Sequence, residues 1–281
     1  MRALAAAALL VGIILTAAPR EGRAGEAPTA TDANLVTALD VSDSIMRHEE
    51  WLEFAGMSHA IQSEDFLDAA TAGRHGRIGF AVIVWASDEP PDVIVPWTII
   101  ESKQDVQRVV DRLGAARKLY GFDARMGNGG GATAYRGDGG GSPAPARRTD
   151  ISAALEFSAD LLRAAPTRAP REVINICGNG DDNVHASPAA ARDRALAAGM
   201  VVNGLVIGAR PAVADYYRAY LQGGTGSFVL EVRDPEDVAS AMLEKFLRDL
   251  NVAREPPGAL ASLIEQRAAG ADQAAPARSA I

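Results

Sequence analysis

The sequence predicts an α/β fold: a doubly wound, mostly parallel six-stranded sheet with one antiparallel edge strand and helices on both faces. Three observations carry this expectation. Short runs rich in Val, Ile, Leu and Ala alternate with stretches of helical periodicity through most of the chain. Two of those runs are joined across Pro90-Pro91, a link too short for the crossover that parallel neighbours need. Ser, Thr or Asp stands at the start of several helical stretches, twice followed by Pro.

In chain order, 34–39 is the first strand, with a short apolar stretch from Leu35 to Leu39 that reads as buried. A helix is expected over 46–70, with Trp51, Phe54, Ala55 and Ile61 close to one face. Residues 77–85 form the second strand and 92–97 the third, paired antiparallel across the proline break. Ser102 and Asp105 start the next helix, in which Val106, Val109, Val110 and Leu113 occupy i, i+3, i+4 and i+7, closing near Leu119. The segment 121–148 is so rich in Gly, with Pro143 and Pro145, that it reads as a loop inserted in the domain. It lacks the fixed Gly spacing and the Lys-Ser/Thr of a phosphate-cradling loop.

Thr149 and Asp150 open a helix carrying Ile151, Ala154, Leu155, Ser158 and Leu162. Strand 172–177 runs into Gly178-Asn179-Gly180-Asp181-Asp182-Asn183, a turn full of oxygen side chains. Ser187 and Pro188 suit the N-cap and first position of a helix to Ala198. Strand 200–207 and helix 212–221 follow; Tyr216, Tyr217 and Tyr220 are too closely spaced for one face, so two should pack and one should be exposed. The last strand is 226–232, and Asp234 with Pro235 caps a final helix through Met242, Phe246 and Leu250. From 255 to 281 the Ala- and Pro-rich composition reads as a tail, with one short helix expected around 260–266.

Residues 1–24 have the pattern of a cleaved signal peptide: Arg2, an apolar run over 3–18, and small residues at 16–18 and 22–24. The expected location is periplasmic or secreted, with no membrane span after cleavage. Cleavage removes Arg2, Arg20, Arg23 and Glu21 from a chain of net charge −8, and so makes the balance more acidic. That argues against nucleic acid or anionic lipid as the main partner. Cys177 is the lone cysteine; without an internal disulfide the exported domain, 32–250, must rely on its core. At a strand end among apolar neighbours, Cys177 reads as a small buried side chain rather than a nucleophile.

The most informative local feature is Asp40-Val41-Ser42-Asp43-Ser44 directly after the first strand. A carboxylate with hydroxyls at i+2 and i+4 puts three small oxygen donors on one tight loop, suited to a hard divalent cation. The same residue types also serve as ordinary helix caps.

With this triplet after the first strand and Thr149 before a later helix, the order of parts resembles the von Willebrand factor A-type domain and its metal-ion-dependent adhesion site. It is similar in particular to a proteobacterial group of uncharacterised secreted proteins of this fold, through Val95-Pro96-Trp97-Thr98, Tyr216-Tyr217-Arg218 and Gly223-Gly224-Thr225-Gly226-Ser227-Phe228-Val229. The resemblance implies a metal site made by Asp40, Ser42, Ser44, Thr149 and Asn179. One departure matters: the family's third-loop Asp is replaced by Asn179 in Cys177-Gly178-Asn179-Gly180. An amide oxygen still accepts a hydrogen bond from a metal-bound water, but a negative charge is lost. Asp181 and Asp182 stand nearby, in a register that disfavours compensation.

What the resemblance implies about mechanism is coordination rather than bond breaking. Mg²⁺, or Mn²⁺ or Ca²⁺, would take the hydroxyls of Ser42, Ser44 and Thr149, with waters held by Asp40 and Asn179. One open position would accept a carboxylate from a protein partner. Arg125, Arg136, Arg147 and Arg148 on the glycine-rich loop read either as a basic rim drawing in acidic partners or as charges keeping the loop solvated. His48, His59, His75 and His185 are scattered with no pair at metal-ligand spacing. Asp43 adds negative potential beside the triplet, where a helix start favours Asp in any case. Two other functions stay open: a metal-free scaffold binding a partner by its surface, and a metal-dependent hydrolase. Against the hydrolase, no His or Glu base accompanies the triplet and no G-x-S-x-G elbow is present.

Overall fold

The computed structural model describes residues 27–42, 47–87, 90–119 and 148–254. The leader at 1–24, Asp43 and Ser44 of the triplet, the glycine-rich loop with Arg125, Arg136 and Arg147, and the tail from 255 lie outside the described residues. So do the side chains of His48 and Trp51.

The strands are β1 (Thr29–Ala30), β2 (Asn34–Asp40), β3 (Ile78–Trp85), β4 (Asp92–Ile100), β5 (Thr167–Arg168), β6 (Glu172–Gly178), β7 (Val201–Ile207) and β8 (Val229–Val232). Six of them make the main sheet in the order β4-β3-β2-β6-β7-β8. Every neighbouring pair is parallel except β3 with the edge strand β4. This is the expected doubly wound sheet with one antiparallel edge. Counted along the chain, the six main strands follow the order 3-2-1-4-5-6, so the winding reverses between β2 and β6. In open sheets of this kind ligands bind at that reversal, beyond the carboxyl ends of the strands.

The helices are α1 (Arg47–Gln62), α2 (Glu64–Thr71), α3 (Lys103–Leu119), α4 (Ile151–Arg163), α5 (Ala189–Ala197), α6 (Pro211–Tyr216) with a π-helical turn Tyr217–Leu221, and α7 (Val238–Arg254) behind a 3₁₀ turn Pro235–Asp237. One core layer joins α1, α2, α3 and α7 to the sheet through Phe54, Phe66, Leu113 and Phe246, facing Leu35, Leu39, Phe80 and Cys177. The opposite layer joins α4, α5, α6 and the π turn through Ile151, Leu155, Ala195 and Tyr217, facing Val36, Ala38, Ile83 and Trp85. All residues of β2 and of β3 are buried, which is why both strands read as largely apolar runs instead of alternating ones. Phe66, Phe80 and Phe246 meet edge to face, with ring centres 5.5 to 6.4 Å apart.

Several boundaries differ from the sequence reading. The helix expected over 46–70 is two helices, because the Ser63 Oγ accepts from Phe66 N at 3.1 Å and donates to the Ala60 carbonyl at 2.8 Å, capping a new start. β4 runs on to Ile100. β8 starts at Val229, since Gly224 and Gly226 have φ of 91° and 72° and turn the chain before it. β1 and β5 pair in parallel as a two-residue ladder, too short to leave a periodic signal. The tyrosines divide as expected, with Tyr217 fully buried, Tyr216 half-buried and Tyr220 43% exposed.

Beneath α7 the apolar layer holds a polar knot. Asp249 accepts from Asn175 Nδ2 at 2.9 Å and Asn203 Nδ2 at 2.7 Å, and its carboxylate lies 3.6 Å from Lys245 Nζ. Arg171 Nε donates to the Asp249 carbonyl at 3.1 Å. Asp249, Lys245, Asn175 and Asn203 are all fully buried, so this knot pins α7 to β6 and β7 in one register.

Candidate metal centre

Asp40 ends β2, and the chain keeps pairing for one more residue, with Val41 N donating to the Trp85 carbonyl at 3.0 Å. The loop then folds back on the carboxylate: Ser42 N donates to Asp40 Oδ1 at 2.8 Å. This is the local turn that an Asp two residues ahead of an amide favours. It engages one oxygen of Asp40, while Oδ2 is buried with no hydrogen-bond partner. Burial pushes the Asp40 carboxyl up to about 7, against the lowering effect of its bonds from Ser42.

Thr149 arrives from a different part of the chain, just ahead of α4, and is equally buried. Its backbone is clamped by the turn after β6: Thr149 N donates to Asn183 Oδ1 at 2.9 Å and Asn183 N donates to the Thr149 carbonyl at 3.0 Å. Asp150 caps α4 by accepting from Ala153 N at 2.8 Å. So held, Thr149 Oγ1 lies 3.3 Å from Ser42 Oγ. Asp40, Ser42 and Thr149 are thus brought together. Asn179 is fully buried at the end of β6, one residue past Gly178, and Leu39 pairs with Cys177 in the β2–β6 ladder. A Cβ built on Gly178 would stand 3.0 Å from Asp40 Oδ2, so Asn179 leaves the sheet beside that carboxylate.

Neither neighbouring acid takes the role of the missing one. Asp181 is exposed. Asp182 Oδ2 accepts from Ser152 N and Ser152 Oγ at 3.0 and 2.8 Å, and Oδ1 from Val184 N and His185 N at 3.0 and 2.8 Å. One oxygen ties the turn to α4 and the other closes the turn on itself, so its acceptor capacity is taken up. The sequence reading did not find this bracing role, although an Asp two and three residues ahead of such amides is a usual turn-former. His185, exposed, lies with Nε2 3.4 Å from the capping Asp150; His59 and His75 are exposed elsewhere. Cys177 is buried on the α1 and α7 side, its thiol pushed up to about 12 by desolvation, as a packing residue should be.

Among the described residues no group of three or more His, Cys, Asp or Glu side chains is placed to hold a metal. The donors here are of another kind: one carboxylate, two hydroxyls and an amide. Such a set fits a hard cation that keeps several of its own waters, as Mg²⁺ does, and not one that needs imidazole or thiolate. The unpartnered Oδ2 of Asp40 fits too, since a buried carboxylate oxygen demands a partner.

The sequence model of a family described as a protein of unknown function, DUF1194, matches residues 30–133 and 141–254. No curated protein matches. Similar solved structures include proximal thread matrix protein 1 from the mussel byssus, 14% identical with a TM-score of 0.49 over 79% of this chain and 49% of that one. A second structure of the mussel protein, described as having a zinc-occupied MIDAS motif, is 14% identical with a TM-score of 0.48 over 79% and 48%. A von Willebrand factor type A protein from Catenulispora acidiphila is 15% identical with a TM-score of 0.47 over 78% and 43%. The chain spans about half the length, or less, of these three.

Proposed function

The chain belongs to the DUF1194 family of proteins of unknown function, with a von Willebrand factor A-type fold, and we propose that it is an exported, non-enzymatic module that binds a protein partner through a divalent-cation site. The observation that carries this reading is the meeting of Ser42 Oγ and Thr149 Oγ1 beside the unpartnered Asp40 Oδ2, at the point where the sheet's winding reverses. Asp40, Ser42, Ser44, Thr149 and Asn179 hold the ion, with Mg²⁺ the ion that the donor set fits best. When bound, the ion supplies a positive charge and an open coordination position for a carboxylate.

The charge balance favours an acidic partner group. Of the five residues only Asp40 ionises, so a dication is not neutralised by its own ligands and keeps its attraction for an incoming Asp or Glu. Asn179 thereby trades ion affinity for pull on the partner. The hydroxyls need no deprotonation to coordinate, and Asp182, the other buried acid of the turn, is committed to four donors. Coordination is therefore better served here than proton transfer.

Export rests on the leader-like pattern at 1–24; no helix of the described residues is long and apolar enough to cross a membrane. The metal-free alternative is favoured by Asn179 and by the Asp40 carboxyl, pushed up to about 7, which leaves it readily neutralised without an ion. Calorimetry of the mature protein with Mg²⁺, Mn²⁺ and Ca²⁺ separates the two. Binding heat that disappears in Thr149→Ala supports the metal bridge, and absence of heat with all three ions removes it. Capture of a partner from envelope extract, lost on adding chelator, tests the second half of the proposal.

A further inference from the structure

Two glycines on adjacent strands open a path across the sheet towards Asp40. Gly204 of β7 stands opposite Ile176 of β6, so Gly204 and Gly178, two residues further along, project on the same face. A Cβ on Gly204 would come within 2.6 Å of Tyr217 Cδ2. A Cβ on Gly178 would stand 3.0 Å from Tyr217 Oη and 3.0 Å from Asp40 Oδ2. The Tyr217 ring therefore lies over β7 and β6, where larger residues would exclude it, and its hydroxyl is delivered to the carboxyl end of β2.

The chemistry at that end is complementary. Tyr217 Oη and Asp40 Oδ2 are both buried and both without a hydrogen-bond partner; a phenol carries one donor proton and an ionised carboxylate only accepts. Tyr217 also opens the π turn, in which Gln222 N bonds to the Tyr217 carbonyl at 2.8 Å. Such a wide turn inside a helix is uncommon and gathers at functional sites. Burial, followed by the nearby Asp40 charge, raises the phenol well above its usual value, so it stays a donor.

We infer that Tyr217 is a positioning residue for Asp40: its hydroxyl and Oδ2 border the same notch left by Gly178 without being bonded in this structure, and the phenol is the donor that Oδ2 takes up, directly or through one water, while Ser42 N holds Oδ1. A second bond of this kind restrains the carboxylate from rotating away from Ser42 and Thr149. The inferred pairing needs no ion; its service to an ion rests on the metal-site reading above.

Two arms test this separately. In chelator at about pH 8, unfolding of wild type, Tyr217→Phe, Asp40→Ala and the double variant forms a cycle, alanine removing the acceptor that asparagine would keep. The unfolding constants are expected to depart from simple multiplication by about tenfold; agreement within about twofold overturns the contact. In the second arm Mn²⁺ is titrated into wild type, Tyr217→Phe and Gly178→Ala, the last keeping the phenol but filling the notch. Affinity should fall by roughly tenfold or more in both variants, while Phe246→Leu, a remote core change, leaves it unaltered. Wild-type binding with unchanged affinity in Tyr217→Phe overturns the positioning role. Absence of Mn²⁺ binding in the wild type overturns the metal reading instead, and the chelator cycle still decides the contact.

Discussion

The hydroxyl oxygens of Ser42 and Thr149 lie 3.3 Å apart, although the two residues are 107 positions apart in the chain. Neither depends on the other for its place. Ser42 is fixed by its amide on Asp40 Oδ1, and Thr149 by the reciprocal pair with Asn183. Two independently anchored loops therefore present adjacent oxygens in a buried setting, which lowers the reorganisation that binding an ion would require.

Ser42→Ala and Thr149→Ala should each weaken Mn²⁺ or Mg²⁺ binding strongly while costing only about 1 kcal/mol in chelator, the usual net value of one hydrogen bond. Calorimetry and urea unfolding of the same samples check both halves. Loss of stability well above that, with ion affinity intact, would make the hydroxyl pair a purely structural contact.

Asn179→Asp should tighten the ion and weaken the ion-free protein. A second carboxylate beside a buried, partly desolvated Asp40 is repelled unless a cation lies between them. The expected signature is a lower melting temperature in chelator and a larger rise on adding Mn²⁺ than wild type shows. Equal rises in the two proteins would place residue 179 away from the ion.

Burial sets the pH response of Asp40. Its folded carboxyl titrates at about 7 against an ordinary value of 3.8, so between those values the folded state binds more protons than the unfolded one. Ion-free stability relative to Asp40→Asn should accordingly fall as pH rises through that window, by up to about 1.4 kcal/mol per pH unit, and level off above it. Urea melts in chelator across the window measure the difference. A flat difference, or one that rises with pH, contradicts the desolvation that burial imposes.

Asp249→Leu should cost about 3–5 kcal/mol, because it strands a buried Lys245 ammonium together with the Asn175 and Asn203 amides. Lys245→Met should cost less, since Asp249 keeps both amide donors. Denaturant unfolding of the two variants gives the order directly; the reverse order would mean that the ammonium, not the carboxylate, is the hub of the knot.

The sheet was legible because its strands are buried on both faces. Val36, Ala38, Ile83 and Ile176 serve one layer and Leu35, Leu39, Phe80 and Cys177 the other, and such strands announce themselves as unbroken apolar runs. Pro90-Pro91 announced the antiparallel edge for an equally local reason. The break at Ser63 was hidden because helix-forming residues continue on both sides of it, and only the contacts of Ser63 with Ala60 and Phe66 mark it. The π turn at Tyr217 leaves no mark in the residue pattern. Asp40, Ser42 and Thr149 were picked out by type, spacing and resemblance, whereas the duties of Asp182, Gly178 and Gly204 became visible only through what lies against them.

Residue order alone settled much of what is local: the six strands of the main sheet, the helix starts at Ser102 and Asp150, and that Asp40, Ser42 and Thr149 carry oxygen donors at element ends. Those properties depend on backbone hydrogen bonding and side-chain period within a few residues. The winding of the chain settled the rest. It set β6 beside β2, so that the turn at 179–183 clamps Thr149 against Ser42, and it laid Tyr217 over two bare glycines to reach Asp40. Such meetings are made by close packing between segments far apart in sequence, where a single missing Cβ decides whether two side chains can approach.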